Sequence, residues 1–192
     1  MKNPIKQWLQ KRRQKKASKQ NLRWLQSVAQ QHQWLDQLRT SGLLQWDVVQ
    51  RRLFIEADLA VLFLQDAQRW TAFIHNTYQW LYYNLAQQTM EDYFHQQELK
   101  AVREQLNQTP DLSREDIDRI RRHRRAEIIQ SDVPTPKVEP FEFFIVRTDA
   151  VTIQQEQNTG RLIAVGHYDP SNDGMEIAPW EDIQQLLKDG HQ

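Results

Sequence analysis

The groups in this chain best suited to chemistry are cations. Lys11, Arg12, Arg13, Lys15, Lys16 and Lys19 lie within residues 11–19 with no acid among them. Such a cluster neutralises phosphates, and an indole beside it stacks on bases. Trp8 and Trp24 flank the run. An acidic protein patch or an anionic membrane surface would use the same residues. A solvated charge run that keeps an apolar helix in solution would also need nothing more. The second group is His167, Asp169 and Glu176, close in sequence near the end of an expected strand. Catalytic groups often sit at such ends, but no nucleophile motif, phosphate loop or HExxH pattern accompanies them. An enzyme with a site near His167 and Asp169 therefore ranks below a binding function. His75 and His95 lie twenty residues apart on expected helix and match no ligand spacing. No catalytic residue, metal ligand or cofactor is assigned.

Asp169-Pro-Ser-Asn-Asp173-Gly174 resembles the first half of a calcium loop, D-x-S-x-D-G. Loop position twelve should be a bidentate Glu; here it is Trp180, with Glu181 one place late. A β-turn explains the same residues. There is no cysteine, which excludes a disulfide framework, a thiolate zinc site and a Cys nucleophile.

The 192 residues suit one domain, or one domain with a small appendage. The apolar fraction of 39% is low, and 27 glutamines account for much of the polar excess. They are scattered among Trp and Leu, which argues against a prion-like tract. Formal net charge is zero, but it conceals a gradient. Residues 1–41 hold ten Lys and Arg against one acid, Asp36, whereas residues 131–192 hold four against eleven. A basic head and an acidic tail suggest two surfaces with different partners, or one that masks the other. No apolar run approaches the roughly 20 residues of a membrane helix. The basic start has no apolar segment behind it, unlike a secretory signal. The expected location is cytoplasmic, or within a virion or other large assembly.

The elements that must position these groups are mostly helical at first. From Pro4 to Arg39 there is no Gly and no further Pro, and Leu22, Leu25, Val28, Ala29, Leu35 and Leu38 form a stripe that Ser41–Gly42 terminates. Residues 44–56 are rich in β-branched and aromatic side chains. They predict a short hairpin turning at Gln50–Arg52, with a helix through the same residues as the alternative. Asp58 is the expected N-cap of a helix through Leu59–Leu64. The central stretch is Phe63–Gln88, where Phe63, Ala67, Trp70, Ile74, Thr77, Leu81, Asn84 and Gln88 recur at spacings of four and three. Phe73, Tyr78, Trp80, Tyr82 and Tyr83 widen that face. With Trp70 they form either a core or a face for a partner, since a helix this aromatic must be covered by something. The stripe changes phase near Gln87–Met90, which predicts a bend or break before the helix continues to Pro110.

Ser113-Arg-Glu-Asp116 opens another helix with a capping signature. Its arginines 119, 121, 122, 124 and 125 are expected to pair chiefly with acids of the same helix. Residues 131–140 form a Pro-rich linker. Beyond it lie four of the five glycines. Strands are expected at 141–147, 151–155, 161–167 and 175–178, the second and third joined across Gln157–Gly160. A last helix opens at Pro179 and ends at Gly190.

The expected fold is α+β: a mostly helical N-terminal domain followed by a small antiparallel β-sheet with one C-terminal helix. Its parts are a basic arm (1–20), a helical domain (21–130), the linker, and a sheet-plus-helix module (141–192). The expected function is a non-enzymatic interaction or assembly protein, one concrete form being a component of a bacteriophage particle. Its helical body docks a protein partner or itself, and its basic arm engages nucleic acid or an acidic surface. A nucleic-acid-binding regulator is the second class. If nucleic acid is the partner, removing residues 1–20 should abolish most binding and flatten the salt dependence by about four to six counterions. Binding titrations across salt concentration check this, and undiminished binding after truncation would remove the arm from the interface.

Overall fold

The chain's longest-range pairing begins in a short apolar run. Leu53-Phe54-Ile55 is continuous rather than alternating, the pattern of a strand covered on both faces. In the computed structural model, which describes residues 32–131, 133–147, 153–172 and 174–189, this run is the centre of β2 (Arg52–Glu56). It pairs antiparallel with β1 (Leu44–Asp47) and parallel with β3 (Phe141–Val146). β4 (Ile163–Asp169) and β5 (Gly174–Ile177) extend the sheet by antiparallel pairing, in the order β1-β2-β3-β4-β5.

The described residues hold six helices: α1 (Gln33–Thr40), α2 (Ala57–Phe63), α3 (Ala67–Gln108), α4 (Arg114–Ser131), α5 (Ile153–Thr159) and α6 (Trp180–Asp189). The fold is α+β, but the strands interleave with the helices in one mixed sheet. The expected separate antiparallel sheet after the helices is thereby corrected. The hairpin expected at 44–56 is present as the sheet's first two strands, but its turn is Val48–Arg51 rather than Gln50–Arg52, since Arg52 already pairs in β2. A parallel partner leaves no turn signal near either strand, so β2 and β3 look locally like unrelated strands.

Two compact units divide the described chain, one of residues 32–82 with 138–189, the other of residues 83–137. In the first, the sheet unit, one sheet face carries Leu44, Leu53, Ile55, Phe141, Phe143 and Ile145, all nearly inaccessible. Against this side lies the first part of α3, with Tyr78 6.1 Å and 30° from the Phe141 ring. Trp70, Phe73, Ile74 and Trp80 are buried there too. Phe73 stacks on Phe63 at 4.1 Å and meets Trp34 and Trp70 at 6.4 and 5.9 Å. The Trp80 indole N–H donates to Asp36 on α1.

Four local expectations need correction. Residues 153–155 belong to helix α5, not to a strand: Gln154-Gln155-Glu156-Gln157 are good helix formers, and only Ile153 favours the extended state. Gly160, at φ +68°, ends that helix rather than turning a hairpin, and the Arg161 N–H caps back onto the Glu156 carbonyl. The cap of α2 is Glu56, whose carboxylate accepts from the Leu59 N–H at 3.1 Å. Asp58 lies inside the first turn. Finally, α3 runs through residues 87–90 as one uninterrupted helix.

Residues 1–31 lie outside the described part. With them go the expected basic arm Lys11–Lys19, Trp8, Trp24 and the stripe Leu22–Ala29.

In the second unit, residues 83–108 of α3 and the whole of α4 form an antiparallel helix pair. The register follows from Glu98 with Arg121 and Glu91 with Arg125. Ser113 caps α4 as expected, its hydroxyl accepting the Asp116 N–H and donating to the Asp116 carboxylate. That donated bond is the main reason the Asp116 carboxyl lies below the usual carboxylate range.

Gly166 of β4 stands opposite Ile177 of β5 and leaves no room for a side chain. A Cβ at this position would run into the Glu176 carbonyl oxygen and touch Met175. Gly166→Ala should therefore strain or loosen the β4–β5 pairing and cost about 1–3 kcal/mol, as overpacking does. Urea denaturation gives the cost, and amide exchange at Met175 and Ile177 shows whether β5 separates.

Candidate interaction surfaces

The hairpin turn is built from residues that turns rarely use. Its tip is Val48-Val49-Gln50-Arg51, with no Gly or Asn. Asp47 supplies what those residues would: one carboxylate oxygen accepts the N–H groups of both Val49 and Gln50 at 2.9 Å. Arg51 takes the left-handed conformation, φ +55°, alone among described non-glycine residues. Such a backbone persists only where its surroundings impose it. Here the guanidinium donates to the carbonyls of Pro140 and Glu139 at 2.8 and 2.9 Å, and the Arg51 carbonyl accepts the Glu142 N–H at 3.0 Å. The Trp46 ring lies under the guanidinium at 6.0 Å. Gln50 and Gln157 exchange amide hydrogen bonds. The turn so braced holds out two valines, Val48 at 66% and Val49 at 92% exposure.

A charged row crosses the sheet. Asp47, Arg52, Glu142, His167 and Glu176 stand opposite one another in successive strands. Arg52 pairs with Glu142 at 2.8 Å, and His167 meets Glu176 at 3.5 Å. Cross-strand pairs of opposite sign stabilise a sheet, and this row alternates in sign from β1 to β3. The structure thus joins His167 to Glu176. Asp169 is engaged instead with Ser171: its carboxylate accepts that residue's hydroxyl at 2.7 Å and backbone N–H at 2.8 Å. These two bonds hold the Asp169 carboxyl below its usual range, with a smaller contribution from His167. Residues Pro170–Asn172 form a 3-10 turn, while Asp173 lies outside the described residues. A cleft of about 630 Å³ opens beside this end of the sheet, lined by Arg51, Glu139, Glu142, His167, Tyr168 and Asp169 among others. Among the described residues no three His, Cys, Asp or Glu side chains gather closely enough to hold a metal ion.

Behind the cleft stands a tyrosine cluster. Tyr168 contacts Phe141, Tyr82 and Tyr78 with ring centroids 5.0, 5.5 and 5.7 Å apart. Burial pushes the Tyr168 hydroxyl up to about 12, helped by Tyr82, which also hydrogen-bonds to it, and by Tyr78. Tyr78 is raised for the same first reason, burial. These hydroxyls stay protonated through the neutral range and act as hydrogen-bonding groups. Of the aromatic residues singled out from sequence, Trp70, Phe73 and Trp80 are buried in the sheet unit and Tyr78 and Tyr82 are half-buried there. Tyr83 is buried and belongs to the helix-pair unit.

The helix-pair unit hides a charge that sequence reasoning passed over. Glu98 is buried, its carboxylate held by Arg121 and Arg125, each at 3.2 Å. Arg125 also forks onto Glu91 and lies 4.9 Å over the Phe94 ring. The Glu91 bond is the chief reason its guanidinium is held still more firmly in the charged form. The signal was present: Met90, Phe94, Glu98 and Val102 follow one another at intervals of four, placing Glu98 on an apolar face. The arginines of α4 divide. Arg119 and Arg124 pair with Asp116 and Glu127 of their own helix, while Arg121 and Arg125 reach α3.

No protein-family model, curated protein or solved structure matches the chain. Among the described residues no helix is long and apolar enough to cross a membrane.

Arg51 separates two contributions to the turn. Arg51→Gly keeps the left-handed backbone free of strain but loses the clamp on residues 139 and 140. Arg51→Ala loses the clamp and keeps the strain. We expect a cost of about 1–3 kcal/mol for losing the clamp and about 1 kcal/mol more for Ala than for Gly. Denaturant titration of both variants checks the order; equal or reversed costs would show that the φ of residue 51 is not imposed.

Proposed function

We propose that this is a non-enzymatic interaction or assembly protein that docks a protein surface through the tip of its β1–β2 hairpin. One observation carries this reading. Val48 and Val49 occupy turn positions where polar residues and glycine are the rule, yet they are largely exposed on a turn braced by Asp47 and Arg51. Exposed single apolar residues need no explanation. Two consecutive β-branched side chains at a fixed protrusion form a knob suited to an apolar pocket on another protein, another copy of this chain included. The aromatic stripe of α3 is mostly consumed within the protein's own core, which leaves the hairpin tip as the better docking element.

The basic stretch Lys11–Lys19 gives the same protein an electrostatic contact with nucleic acid or an acidic surface. Work in the cytoplasm, within a phage particle or another large assembly, fits both contacts.

A photocrosslinking amino acid at position 49 of the full chain, in the cells that produce it, tests the docking. The expected result is one discrete protein adduct, identified by mass and lost when Val48→Asp is added. A crosslinker at the exposed Gln65 should not give that adduct. No adduct from position 49, or the same adduct from both positions, would overturn the proposal. Thermal stability of Val48→Asp should stay within about 0.5 kcal/mol of the parent, because exposed positions contribute little to folding.

A further inference from the structure

Three of the chain's five tyrosines stand in mutual contact. Tyr78 and Tyr82 lie one turn apart on α3, with ring centroids 6.0 Å apart. Tyr168 on β4 is 5.7 Å from the first and 5.5 Å from the second. All three are half-buried, and Tyr168 also lines the cleft at the end of the sheet. The other two, Tyr83 and Tyr93, belong to the helix-pair unit. Packing alone does not require a phenol here: Phe141 fills the same cluster, 5.0 Å from Tyr168, without a hydroxyl.

Tyr82 and Tyr168 are joined at their hydroxyls by a hydrogen bond, with their rings nearly perpendicular at 83°. Tyr78 meets Tyr168 by its ring. When a phenol loses an electron and its proton, the ortho carbons flanking the oxygen carry much of the unpaired spin. A contact between hydroxyls therefore brings the reactive carbons of the two rings together. A neighbouring thiol would reduce such a radical before it coupled, and this chain has no cysteine.

We infer that Tyr82 and Tyr168 are an oxidative modification site: an outer-sphere one-electron oxidant joins them as a dityrosine that staples α3 to β4. Each phenol gives one electron to the oxidant and its hydroxyl proton to water. The two phenoxyl radicals pair their ortho electrons as a new carbon–carbon bond. The hydrogen left on each ortho carbon then moves to that ring's oxygen and restores the phenol. Two equivalents of oxidant are reduced, two protons enter solvent, and the product is lighter by two hydrogens. The bond closes a loop from residue 82 to residue 168, so it restricts the unfolded chain as a disulfide would.

The experiment exposes the full chain, kept dilute, to tris-bipyridyl ruthenium(III) generated by light and persulfate. The monomer is then separated, digested and read by mass spectrometry. The expected result is dityrosine fluorescence in the monomer and a peptide pair joined through residues 82 and 168, two hydrogens below the summed mass. Tyr82→Phe and Tyr168→Phe should each lose that pair and most of the fluorescence, whereas Tyr93→Phe should keep both. The cross-linked monomer should need more urea to unfold than Tyr168→Phe after the same oxidation. A monomer without dityrosine, a main cross-link at any other pair, or undiminished fluorescence in Tyr168→Phe would overturn the site. An equal urea midpoint would overturn the staple. Should a Phe variant not fold, the peptide map of the parent chain decides by itself.

Discussion

The structure depends on one pairing, the parallel ladder between β2 and β3. Parallel neighbours cannot be joined by a turn, so the chain must leave the sheet and return to it. Here it leaves after Glu56 and returns at Phe141, with residues 57–140 between. Beyond the ladder itself, Arg51 helps to secure the return. Its guanidinium holds the carbonyls of residues 139 and 140 just before β3 begins, and its own carbonyl accepts the Glu142 N–H. Loop closure over such a distance costs entropy before any contact repays it. The repayment is the burial of Leu53, Ile55, Phe143 and Ile145, which are shielded almost completely. The left-handed backbone of Arg51 is a consequence of the same constraint, since the side chain must turn toward the returning segment.

The helix-pair unit rests on a different principle. Its hairpin of α3 and α4 has a thin apolar edge, and the side chain that decides its register is charged. A buried carboxylate with one guanidinium would leave desolvated hydrogen-bonding capacity unmet. Glu98 has two, and Arg125 is shared with Glu91. Replacing such a set with apolar groups is often neutral for stability, whereas deleting one member leaves an uncompensated charge. The network therefore contributes specificity: sliding α4 by one turn would put Ile117 or Ile129 where one of the two arginines now meets the carboxylates.

How much of this was legible follows from distance along the chain. The hairpin at 44–56 was readable because its β-branched and aromatic residues lie within one short stretch. The α4 start was readable because Ser113 and Asp116 form a local exchange of hydrogen bonds. The single mixed sheet was not, because a continuous apolar run marks a strand as buried without naming its partner across residues 57–140. Residues 153–159 misled in the opposite direction: a neighbouring β-branched residue and a glycine imitate a strand and turn, while the glutamines between them favour helix. The cap of α2 shifted from Asp58 to Glu56 because the strand runs to the helix without a gap, so its last residue is the one positioned to cap. Among candidate functional groups, the His167–Glu176 pairing was foreshadowed by strand position, but the row linking them to Asp47, Arg52 and Glu142 requires the sheet order.

The glutamines are the feature of composition that the structure makes intelligible. A Lys or Glu brought against a partly buried neighbour would need a counter-charge, whereas an amide offers donors and an acceptor without one. Gln50 and Gln157 use this capacity on each other across the sheet unit. Gln184 spends it on the Leu64 carbonyl, beside the Trp180 indole that donates to the same oxygen. Gln79 spends it on two histidines at once. Each joins elements where shape alone would leave polar groups unmet. The low apolar fraction is therefore compatible with a well-packed core, because neutral polar side chains take over joints at its margin. The valines at the hairpin tip stand apart for the same reason. In a protein that settles its margins with amides, two largely exposed apolar side chains on a braced turn depart from that pattern.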